Sequence, residues 1–452
     1  MPVTSGARSL LRTKTVAIVG LGGLGSPLAL VLAQAGVGQL ILIDDDYVDI
    51  SNLQRQILYR TVDAGEPKAP AAMAALERRG FAGSRIRVVR ARLDRATAVE
   101  VLRAADVVCD ASDNFETKFL VNDLSLTLRV PIAIAAVRER AGQVFPVRPR
   151  VDACYRCLFE TPPPDRAAAI GAGALGPACG QIAAQHARVA ATLATGEDQR
   201  GILGSIWLAE DGIWRAIRVN RRPGCPCAGG GPQSLAASDR DGGSQSPGGG
   251  ESRSGSESRI GDSGRPEGSF LPFGHISADT DSCASSLTPL QMKRYTRHLT
   301  FPGIGEAGQV RLMRARVAIT RASCAGAVAI AYLAAAGVGT IVVSDRSSVA
   351  SGDTFLFEAS DVGRPIVDAV RDRVLAINPE VVVASNGDTQ YQLDVGTDFG
   401  VAARDAIDTA ADDFAAIAAL NAGATAAAKL IDRITADYGQ ITAKLRLVRG
   451  ES

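Results

Sequence analysis

The stretch Thr15–Gln56, TVAIVGLGGLGSPLALVLAQAGVGQLILIDDDYVDISNLQRQ, decides the fold class of this chain. Near its start, Val16–Val19 is a short apolar run bounded by a glycine, which is typical of a buried parallel strand. A glycine-rich turn follows, and the sequence predicts a helix over Pro27–Ala35, with the proline at its start. After a second glycine turn, Gln39–Ile43 predicts another strand. We therefore expect a β-α-β unit of a Rossmann-like α/β fold.

Four glycines shape the turn after the first strand: Gly20, Gly22, Gly23 and Gly25. Glycines let the backbone approach a phosphate closely, and the N-terminus of the following helix adds partial positive charge. Asp44 stands just past the second strand, where an acid can accept hydrogen bonds from ribose hydroxyls. The turn therefore predicts a nucleotide site, although the same glycine pattern occurs in NAD-dependent dehydrogenases.

A polar block after the second strand distinguishes these two classes. It comprises Asp44–Val48 and Ser51–Gln56, and a dehydrogenase does not need it beside a diphosphate. Its Asn52, Arg55 and Gln56 could instead hold a triphosphate. On these residues the chain resembles the ubiquitin-activating-enzyme superfamily, specifically its bacterial ThiF/HesA/MoeB adenylyltransferase branch. The resemblance implies an enzyme that uses ATP and magnesium to adenylate the C-terminal glycine of a small ubiquitin-like sulfur-carrier protein.

The composition is that of an ordinary globular protein. The 452 residues are 46% apolar and 21% charged, enough for two or three domains. The formal net charge of +1 gives no electrostatic reason to expect nucleic acid or a membrane as a partner. Leu24–Ile43 and Cys324–Val343 are uncharged and long enough to span a membrane, but both contain Ala-Gly-Val-Gly and predict helix, turn and strand. We expect a cytoplasmic protein whose eight cysteines are thiols or metal ligands.

Residues 1–227 are predicted to form the first domain. Strands alternate with helices along it, which predicts a mostly parallel, Rossmann-like sheet with helices on both faces. Its later elements are expected to be a helix from Pro67-Lys68 and strands over Arg85–Ala91, Ala105–Asp110, Pro131–Val137 and Gly142–Val147. Residues 228–286 are rich in glycine, serine and proline and cannot bury a core, so we expect a flexible linker.

Residues 287–452 repeat the first domain in a degenerate form. A shift of 301 residues aligns Asp345 with Asp44. The turn glycines, the polar block and the lysine after Pro67 are replaced by Arg321, Ser323, Cys324, Gly352–Phe357 and Ile366. These replacements argue against ATP binding in the second copy. The copy also stops soon after a predicted strand, Gln440–Val448, so we expect a truncated, inactive domain.

The family resemblance assigns roles to residues of the first domain. It implies that Lys68 contacts the phosphates, that Asp113 holds magnesium against the nucleotide, and that Arg55 binds the triphosphate. It also implies that Asp44 binds the ribose and that three further residues lie at the nucleotide site, namely Gly22, Asp46 and Asn52. Taken singly, a lysine is usually a solvated surface charge and an Asp-Asn pair is usually a turn. Their order and spacing together favour the site.

Four cysteines late in the first domain resemble the structural zinc site of the same family: Cys154, Cys157, Cys225 and Cys227. Four thiolates close a tetrahedral shell, so the resemblance implies that zinc stabilises the domain and takes no part in catalysis. The first pair has the family's Cys-x-x-Cys spacing. Only Pro226 separates the second pair, where the family has two residues, and the alternative is a site that has lost one ligand or its metal.

No other cysteine or histidine shows a catalytic pattern. Some relatives carry a mobile-loop cysteine that takes over the activated acyl group, but Ala169 stands nearest to that place here. Cys179 falls in the next predicted helix and Cys109 ends a strand, so we expect both to be buried. The histidines have neither triad nor metal spacing; they are His186, His275 and His298. We expect no obligatory covalent intermediate.

The second domain contains a helix that the first lacks. Members of the resembled family work as dimers, in which an arginine from an N-terminal Arg-Tyr-x-Arg helix reaches the partner's ATP. The first domain begins only a few residues before its first strand, whereas Thr288–His298 carries this pattern. We therefore expect the second domain to dock on the first as a pseudo-dimer, with Arg297 at the triphosphate and Arg294 as support. The same contact between two chains, a homodimer, remains open.

These inferences predict an adenylyltransferase that acts on a sulfur carrier in thiamine, molybdopterin or other sulfur-transfer chemistry. No rhodanese-like domain follows the first domain, so we expect a separate protein as the sulfur donor. Two alternatives lie within the superfamily, a dehydratase that activates a tRNA base and a peptide-modifying adenylase; the neutral charge disfavours the tRNA enzyme. Outside it, the alternatives are an NAD-dependent oxidoreductase and a non-enzymatic scaffold.

Overall fold

Eight strands from the first part of the chain form one sheet in the order β3-β2-β1-β4-β5-β6-β7-β8. They are β1 (Thr15–Val19), β2 (Gln39–Ile43), β3 (Arg85–Val89), β4 (Val107–Asp110), β5 (Ile132–Arg138), β6 (Ala141–Val147), β7 (Ser205–Glu210) and β8 (Ile213–Arg218). Strands β1 to β5 pair in parallel, and β5 to β8 pair antiparallel. The predicted Rossmann-like, mostly parallel α/β sheet is therefore confirmed, with an antiparallel extension at one edge.

The computed structural model describes residues 9–81, 85–163, 173–198, 201–228, 287–301, 303–393 and 415–436. Within these ranges residues 9–11 are helical ahead of β1, and the further helices of the first part are α1 (Gly25–Ala35), α2 (Lys68–Arg78), α3 (Arg95–Ala104), α4 (Phe115–Leu128), α5 (Tyr155–Leu158) and α6 (Gly176–Thr195). Several expectations lie outside the described residues: the linker after Ala228 with His275, the loop around Ala169, and the strand over Gln440–Val448.

The parallel registers bring the carboxyl ends of three strands to one edge of the sheet. Val19 ends β1 and pairs with Ile43 of β2 and with Asp110 of β4. All of Val16–Val19 is buried, as a continuous apolar run predicts for a strand covered on both faces. The glycine turn after β1 and Asp44 after β2 therefore start side by side, where open α/β sheets bind their ligands.

The second part of the chain repeats this arrangement with fewer strands. Its sheet is parallel, in the order β11-β10-β9-β12. Its elements are α7 (Pro289–Arg294), α8 (Thr296–Leu299), α9 (Gly305–Arg314), β9 (Arg316–Ile319), α10 (Ala325–Ala336), β10 (Thr340–Val343), α11 (Ile366–Ile377), β11 (Val382–Ala384), β12 (Tyr391–Leu393) and α12 (Ala415–Thr435). The helix expected over Thr288–His298 is thus two short helices that meet at Tyr295.

The internal repeat extends to hydrogen bonds at the edge of each sheet. Asp44 Oδ2 accepts a hydrogen bond from Leu21 N at 2.6 Å. In the second part, Asp345 Oδ2 accepts one from Ala322 N at 3.0 Å. The sequence repeat therefore preserves the aspartate that holds the turn, even where the glycines of the turn are lost.

The two parts share one hydrophobic core. Gly180 of α6 packs so closely on Tyr332 of α10 that a Cβ on the glycine would lie 2.5 Å from the phenol oxygen. Gln181 Nε2 donates a hydrogen bond to Thr425 Oγ1 of α12 at 2.8 Å across the same contact. Helix α1 contacts both α6 and α12 as well as β1 and β2, which explains why it is apolar on all sides.

The two uncharged stretches fold as the sequence predicts. Leu24–Ile43 contains α1 and β2, and Cys324–Val343 contains α10 and β10, each as helix, turn and strand. Among the described residues, no helix combines the length and the hydropathy that crossing a membrane requires.

Candidate nucleotide site and cysteine cluster

The glycine turn after β1 leaves open space above its backbone. Gly20 has a φ of +86°, and a Cβ there would lie 3.1 Å from Ala111 O. A Cβ on Gly25 would lie 1.8 Å from Gly20 O, so no larger residue fits at the start of α1. At Gly22, by contrast, the only atom of the described residues within 4 Å of an added Cβ is Gln56 Nε2, at 3.7 Å. The turn is therefore tight on its inner side and accessible on the side where a phosphate would bind.

Asp44 holds the turn from the end of β2. Its Oδ2 accepts a hydrogen bond from Leu21 N at 2.6 Å, and its Oδ1 accepts one from Asp46 N at 2.8 Å. Burial raises the pKa of Asp44, and the nearby charge of Lys68 opposes this rise. Because each carboxylate oxygen has a further lone pair, Asp44 can still accept hydrogen bonds from a ribose.

Lys68 reaches the edge of the sheet from the first turn of α2. Its side chain is only 7% exposed and forms an ion pair with Asp46. Burial by itself would raise the pKa of Asp46, but the hydrogen bond and the charge of Lys68 outweigh this effect and lower the pKa. Tyr59, which sequence reasoning missed, donates from its hydroxyl to Leu21 O at 3.0 Å and lies 3.4 Å from Lys68 O. The phenol therefore links the glycine turn to the helix that carries the lysine.

The polar block forms a compact loop beside the glycine turn. Asp49 Oδ1 accepts a hydrogen bond from Ser51 N at 2.8 Å and starts a 3-10 turn. Gln56 Nε2 donates to Asn52 Oδ1 at 3.2 Å, and Arg55 Nη1 donates to Ser51 O at 3.4 Å. These contacts order the side chains that the sequence assigns to a triphosphate.

Arg55 lies directly over the glycine turn. A Cβ on Gly23 would be 3.5 Å from both Cδ and Nε of Arg55. Burial lowers the pKa of Arg55, and the charge of Arg297 lowers it further, while Asp113 acts in the opposite direction. Arg55 forms no ion pair with any carboxylate among the described residues. A half-buried cation without such a partner favours an anionic ligand.

The structure brings Arg297 of the second part to this same place. Its Cβ and Cδ lie 2.8 Å from where a Cβ on Gly173 would be, so its side chain crosses the backbone that leads into α6. Arg297 is half-buried, and Asp113 is exposed just before Asn114, the residue that caps α4 through a hydrogen bond from Thr117 N at 2.8 Å. The charges of both groups act on the pKa of Arg55, so both lie in the neighbourhood of Arg55.

Arg294 lies elsewhere and corrects one expectation. It was expected to support Arg297 at the triphosphate, but it is 3% exposed and faces the joint between the two parts. Its Nη2 donates to Thr61 Oγ1 at 2.8 Å, and its Nη1 donates to Ile377 O at 3.2 Å. Because α7 ends at Arg294 and α8 begins after Tyr295, the two arginines point to different partners. Arg294 therefore connects the second part to the segment that follows the polar block.

In the second part, the turn that corresponds to the glycine turn is filled by the side chain of Asp353. Asp353, which stands opposite Asn52 in the repeat, accepts a hydrogen bond at Oδ1 from Cys324 N at 3.0 Å. Cys324 replaces a turn glycine and adopts a φ of +47°. A carboxylate thus occupies the N-terminus of α10, where a phosphate would need to bind.

The four predicted zinc ligands converge in the structure. Their Sγ atoms all lie within 4.8 Å of one another. The Cys154–Cys225 Sγ distance is 3.5 Å and the Cys157–Cys227 distance is 3.4 Å. Tetrahedral coordination with Zn–S bonds of about 2.3 Å requires sulfur atoms roughly 3.8 Å apart. The short Cys225-Pro226-Cys227 pair therefore fits a closed tetrahedral shell, and the cluster could bind zinc.

The remaining cysteines and histidines within the described residues are buried, apart from Cys324. Burial raises the pKa of Cys179 to about 12, and Cys109 is also inaccessible, as predicted. His186 Nε2 lies 3.0 Å from Ala133 O, and burial lowers its pKa to about 4. Burial also lowers the pKa of His298 to about 4. None of these groups is poised for proton transfer at neutral pH.

A buried ion pair below the site was not anticipated. Lys118 Nζ lies 3.4 Å from Asp110 Oδ1 and donates to Ser112 O at 2.7 Å and to Ala135 O at 2.8 Å. Lys118 therefore fixes the backbone just before Asp113. The only sequence signal was an acid at the end of a strand followed by a lysine in the next helix, which is too common to be specific.

Together, the fold and the site define a Rossmann-like α/β protein with a basic site at a glycine turn and a separate cluster of four thiols. The chain belongs to the ThiF family, whose model matches residues 3–227 and 295–445. The resemblance drawn from the glycine turn and polar block is thereby confirmed, and the match extends over both parts of the chain.

Several characterised relatives match about half of this chain. It is 38% identical over 232 residues to a sulfur carrier protein adenylyltransferase of Thermus thermophilus, covering 49% of this chain and 84% of that protein. It is 36% identical over 228 residues to the sulfur carrier protein ThiS adenylyltransferase of Escherichia coli, covering 50% and 89%. It is 38% identical over 235 residues to the SAMP-activating enzyme E1 of Haloferax volcanii, covering 51% and 86%.

Proposed function

We propose that this protein is an ATP-dependent adenylyltransferase. Its substrate is the C-terminal glycine of a small ubiquitin-like sulfur-carrier protein, and its products are the acyl-adenylate and pyrophosphate. The observation that carries the proposal is that Arg55 lies over the glycine turn with Arg297 in its neighbourhood, and that neither has a carboxylate ion-pair partner among the described residues. Relatives named as sulfur carrier adenylyltransferases support it.

A triphosphate suits these side chains. Its phosphates would lie over Gly22, where the backbone is open, within reach of the positive charges of Lys68, Arg55 and Arg297. Asp113 is exposed and would hold Mg²⁺, which contributes positive charge against the phosphates when bound. Asp44 would bind the ribose.

Adenylation requires a carboxylate oxygen of the acceptor to attack the α-phosphorus in line, while the bond to pyrophosphate breaks. The protein contributes position and charge neutralisation, and no residue needs to form a covalent bond. Arg55 is effective here because a half-buried charge is screened less than one in open water. The planar guanidinium of Arg297 suits the leaving pyrophosphate better than an ammonium group would.

In this proposal, residues 1–227 carry the active site, residues 228–286 tether the two domains, and residues 287–452 form an inactive copy that completes the site. Asp353 at the second turn supports the inactivity of that copy. Arg297 lies near Arg55 of the same chain, which favours a pseudo-dimer over a homodimer. A separate protein would then donate sulfur to the adenylated carrier.

Zinc has a structural role in this proposal. Four thiolates from Cys154, Cys157, Cys225 and Cys227 leave no coordination position open for substrate. The metal would bind the chain after β8 to α5 and the residue that caps it, and so fix the antiparallel edge of the sheet.

The test is ATP–pyrophosphate exchange by the full-length protein with a small carrier protein ending in Gly-Gly. The control is the same carrier without its last glycine. We expect exchange with the intact carrier and none with the truncated one. Exchange that does not depend on the carrier, or binding of NADH in place of ATP, would contradict the proposal.

A further inference from the structure

The joint between the two parts brings together two equivalent positions of the repeat that carry opposite charges. In the first part, Arg60 N donates to Asp63 Oδ2 at 2.8 Å and starts a 3-10 turn. In the second part, Glu358 N donates to Asp361 Oδ2 at 2.9 Å and starts the equivalent turn. The repeat therefore preserves the backbone at this place, whereas the side chain that precedes the turn is an arginine in one part and a glutamate in the other.

An approximate twofold axis relates the two turns. Thr61 Oγ1 donates to Ile377 O at the end of α11, at 2.9 Å. Conversely, a Cβ on Gly80, just after α2, would lie 3.4 Å from Ala359 Cβ. The cavity beside the turns is lined by both members of three equivalent pairs, namely Leu58 and Leu356, Arg60 and Glu358, and Arg79 and Ile377. Each turn therefore meets the end of the other part's helix, which is the geometry by which two identical copies also pair.

Glu358 links the two parts through its carboxylate. Its side chain is 12% exposed. Its Oε1 accepts a hydrogen bond from Arg78 Nε across the joint at 3.1 Å, and its Oε2 lies 2.6 Å from Arg373 Nη1 of its own part. Arg78 ends α2, and Ala376 stands at the equivalent place in α11. The Arg78–Glu358 ion pair therefore has no counterpart across the axis, because neither of its members is repeated in the other part.

Two first parts in the same arrangement would lack this ion pair. Arg60 of one copy would stand where Glu358 stands, so Arg78 of the other copy would face an arginine. Arg79, which is 7% exposed, lines the same cavity. Such a pair would bring together six arginines, which are Arg60, Arg78 and Arg79 from each copy, with Asp63 of each copy as their carboxylate partners among the described residues. Like charges that meet across an interface disfavour that partner.

We propose that the joint selects its partner by charge. The arginine face of the first part, formed by Arg60, Arg78 and Arg79, binds the surface that carries Glu358 on a second part and disfavours another first part. Glu358 is therefore the residue that determines this specificity, and it directs unlike parts to join in place of a symmetric pair of first parts. The inference does not depend on the adenylation activity.

The first experiment reads which parts pair once they are free to exchange. A protease site is inserted within residues 232–286 of the full-length protein and is cut after purification, so that the two parts fold together before their covalent connection is lost. Native mass spectrometry of the cut wild-type protein should show pairs of one first part with one second part. Pairs of two first parts would overturn the proposal.

The second experiment tests whether charge makes the choice. Arg78→Glu and Glu358→Arg each place like charges together, and each should raise the dissociation constant of the pair at least about tenfold. When the two cut proteins are mixed, the parts should exchange partners. The wild-type first part should take the wild-type second part, and the first part with Arg78→Glu should take the second part with Glu358→Arg. Equal amounts of all four combinations would overturn the proposal.

A matched control and a neutral pair of variants complete the test. Asp368→Arg reverses a carboxylate that is 53% exposed on the same helix α11, and the dissociation constant should stay that of wild type. If a charge-reversed chain does not fold, Arg78→Gln and Glu358→Gln replace the reversals. Each single variant leaves a partly buried charge without its partner, whereas the double variant removes both charges, so its loss of affinity should be smaller than the two single losses combined. Additive losses would contradict the proposal.

Discussion

Single side chains at the edge of the first sheet do more than one task each. Lys68 lies almost buried against Asp46, and its backbone N–H donates to Asp46 O at 2.9 Å, so the lysine is held before any nucleotide binds. Tyr59 bonds to the glycine turn, and Lys118 fixes the strand end before Asp113. Preorganised charges of this kind contribute most to electrostatic catalysis.

Lys68→Ala should therefore reduce adenylation strongly while the fold persists. The loss of one charge contact to the transition state costs about 3 kcal/mol, roughly a hundredfold in rate. Lys14→Ala, which removes a lysine at the opposite end of β1, is the control. The measurement is pyrophosphate exchange, with circular dichroism as the check on folding.

Asp113→Asn tests the predicted magnesium ligand separately. It keeps the shape of an exposed side chain and removes its charge, so the unfolding midpoint should not change. We expect a higher magnesium requirement and at least a tenfold lower exchange rate. A wild-type magnesium dependence in this variant would show that another group holds the ion.

Asp353→Asn tests the filled second turn through pH. Burial raises the pKa of Asp353 to about 6, against 3.8 for a model carboxyl. The folded state therefore binds more protons than the unfolded state between these values, and stability is lost as the pH rises through this window. The variant keeps an acceptor for Cys324 N and does not ionise, so it should not share the wild type's loss of stability. The difference in free energy of unfolding, variant minus wild type, should therefore increase by up to about 3 kcal/mol from pH 4 to pH 7. Urea unfolding across this range measures it, and an equal pH profile for both proteins would refute it.

At the scale of elements, the sequence predicted those that carry strong local signals. The β1-α1-β2 unit was predicted to within two residues because glycines and apolar runs mark its boundaries. The strand expected over Arg85–Ala91 ends at Val89, since its last residues leave the pairing with β2. The antiparallel extension through β7 and β8 and the break at Tyr295 depend on tertiary contacts, which no local pattern reports.

The same reason explains which site residues the sequence revealed. Lys68, Arg55 and the four cysteines stand in motifs whose spacing is informative. Tyr59 and Lys118 act through bonds to backbone oxygens of distant elements, so their roles appear only once the chain is folded. Arg294 was predicted to lie at the triphosphate because it stands in the same motif as Arg297. In the structure a helix ends at Arg294, and the Arg294 side chain contacts Thr61 instead.

The cysteine cluster joins separate elements, so its loss should affect stability first. Cys225→Ser or removal of zinc by a chelator should lower the unfolding midpoint by several degrees or more. Protein that remains folded should keep an adenylation rate within a few-fold of wild type. Elemental analysis should find one zinc per chain, and Cys109→Ser, which changes a buried cysteine outside the cluster, should keep that zinc. A purified wild-type protein without zinc would contradict the assignment.

On the scale of the whole molecule, the proposed function has the second part complete the site of the first through Arg297. We expect Arg297→Ala to lower the exchange rate at least tenfold, because a cation facing the leaving pyrophosphate is lost. The matched control is Arg321→Ala, which removes an exposed arginine from the filled turn of the same second part. Equal activity of the two variants would leave Arg297 with only a packing role.

The presence of Arg55 and Arg297 in one polypeptide has a consequence for how this protein behaves at low concentration. A symmetric enzyme that borrows an arginine from its partner loses the completed site whenever the partners separate. In the arrangement we propose, the completing residue is covalently attached, so specific activity should not fall on dilution and each chain should bind one nucleotide. If the second turn binds no nucleotide, as we propose, Cys324 and Asp353 can fill it at no catalytic cost.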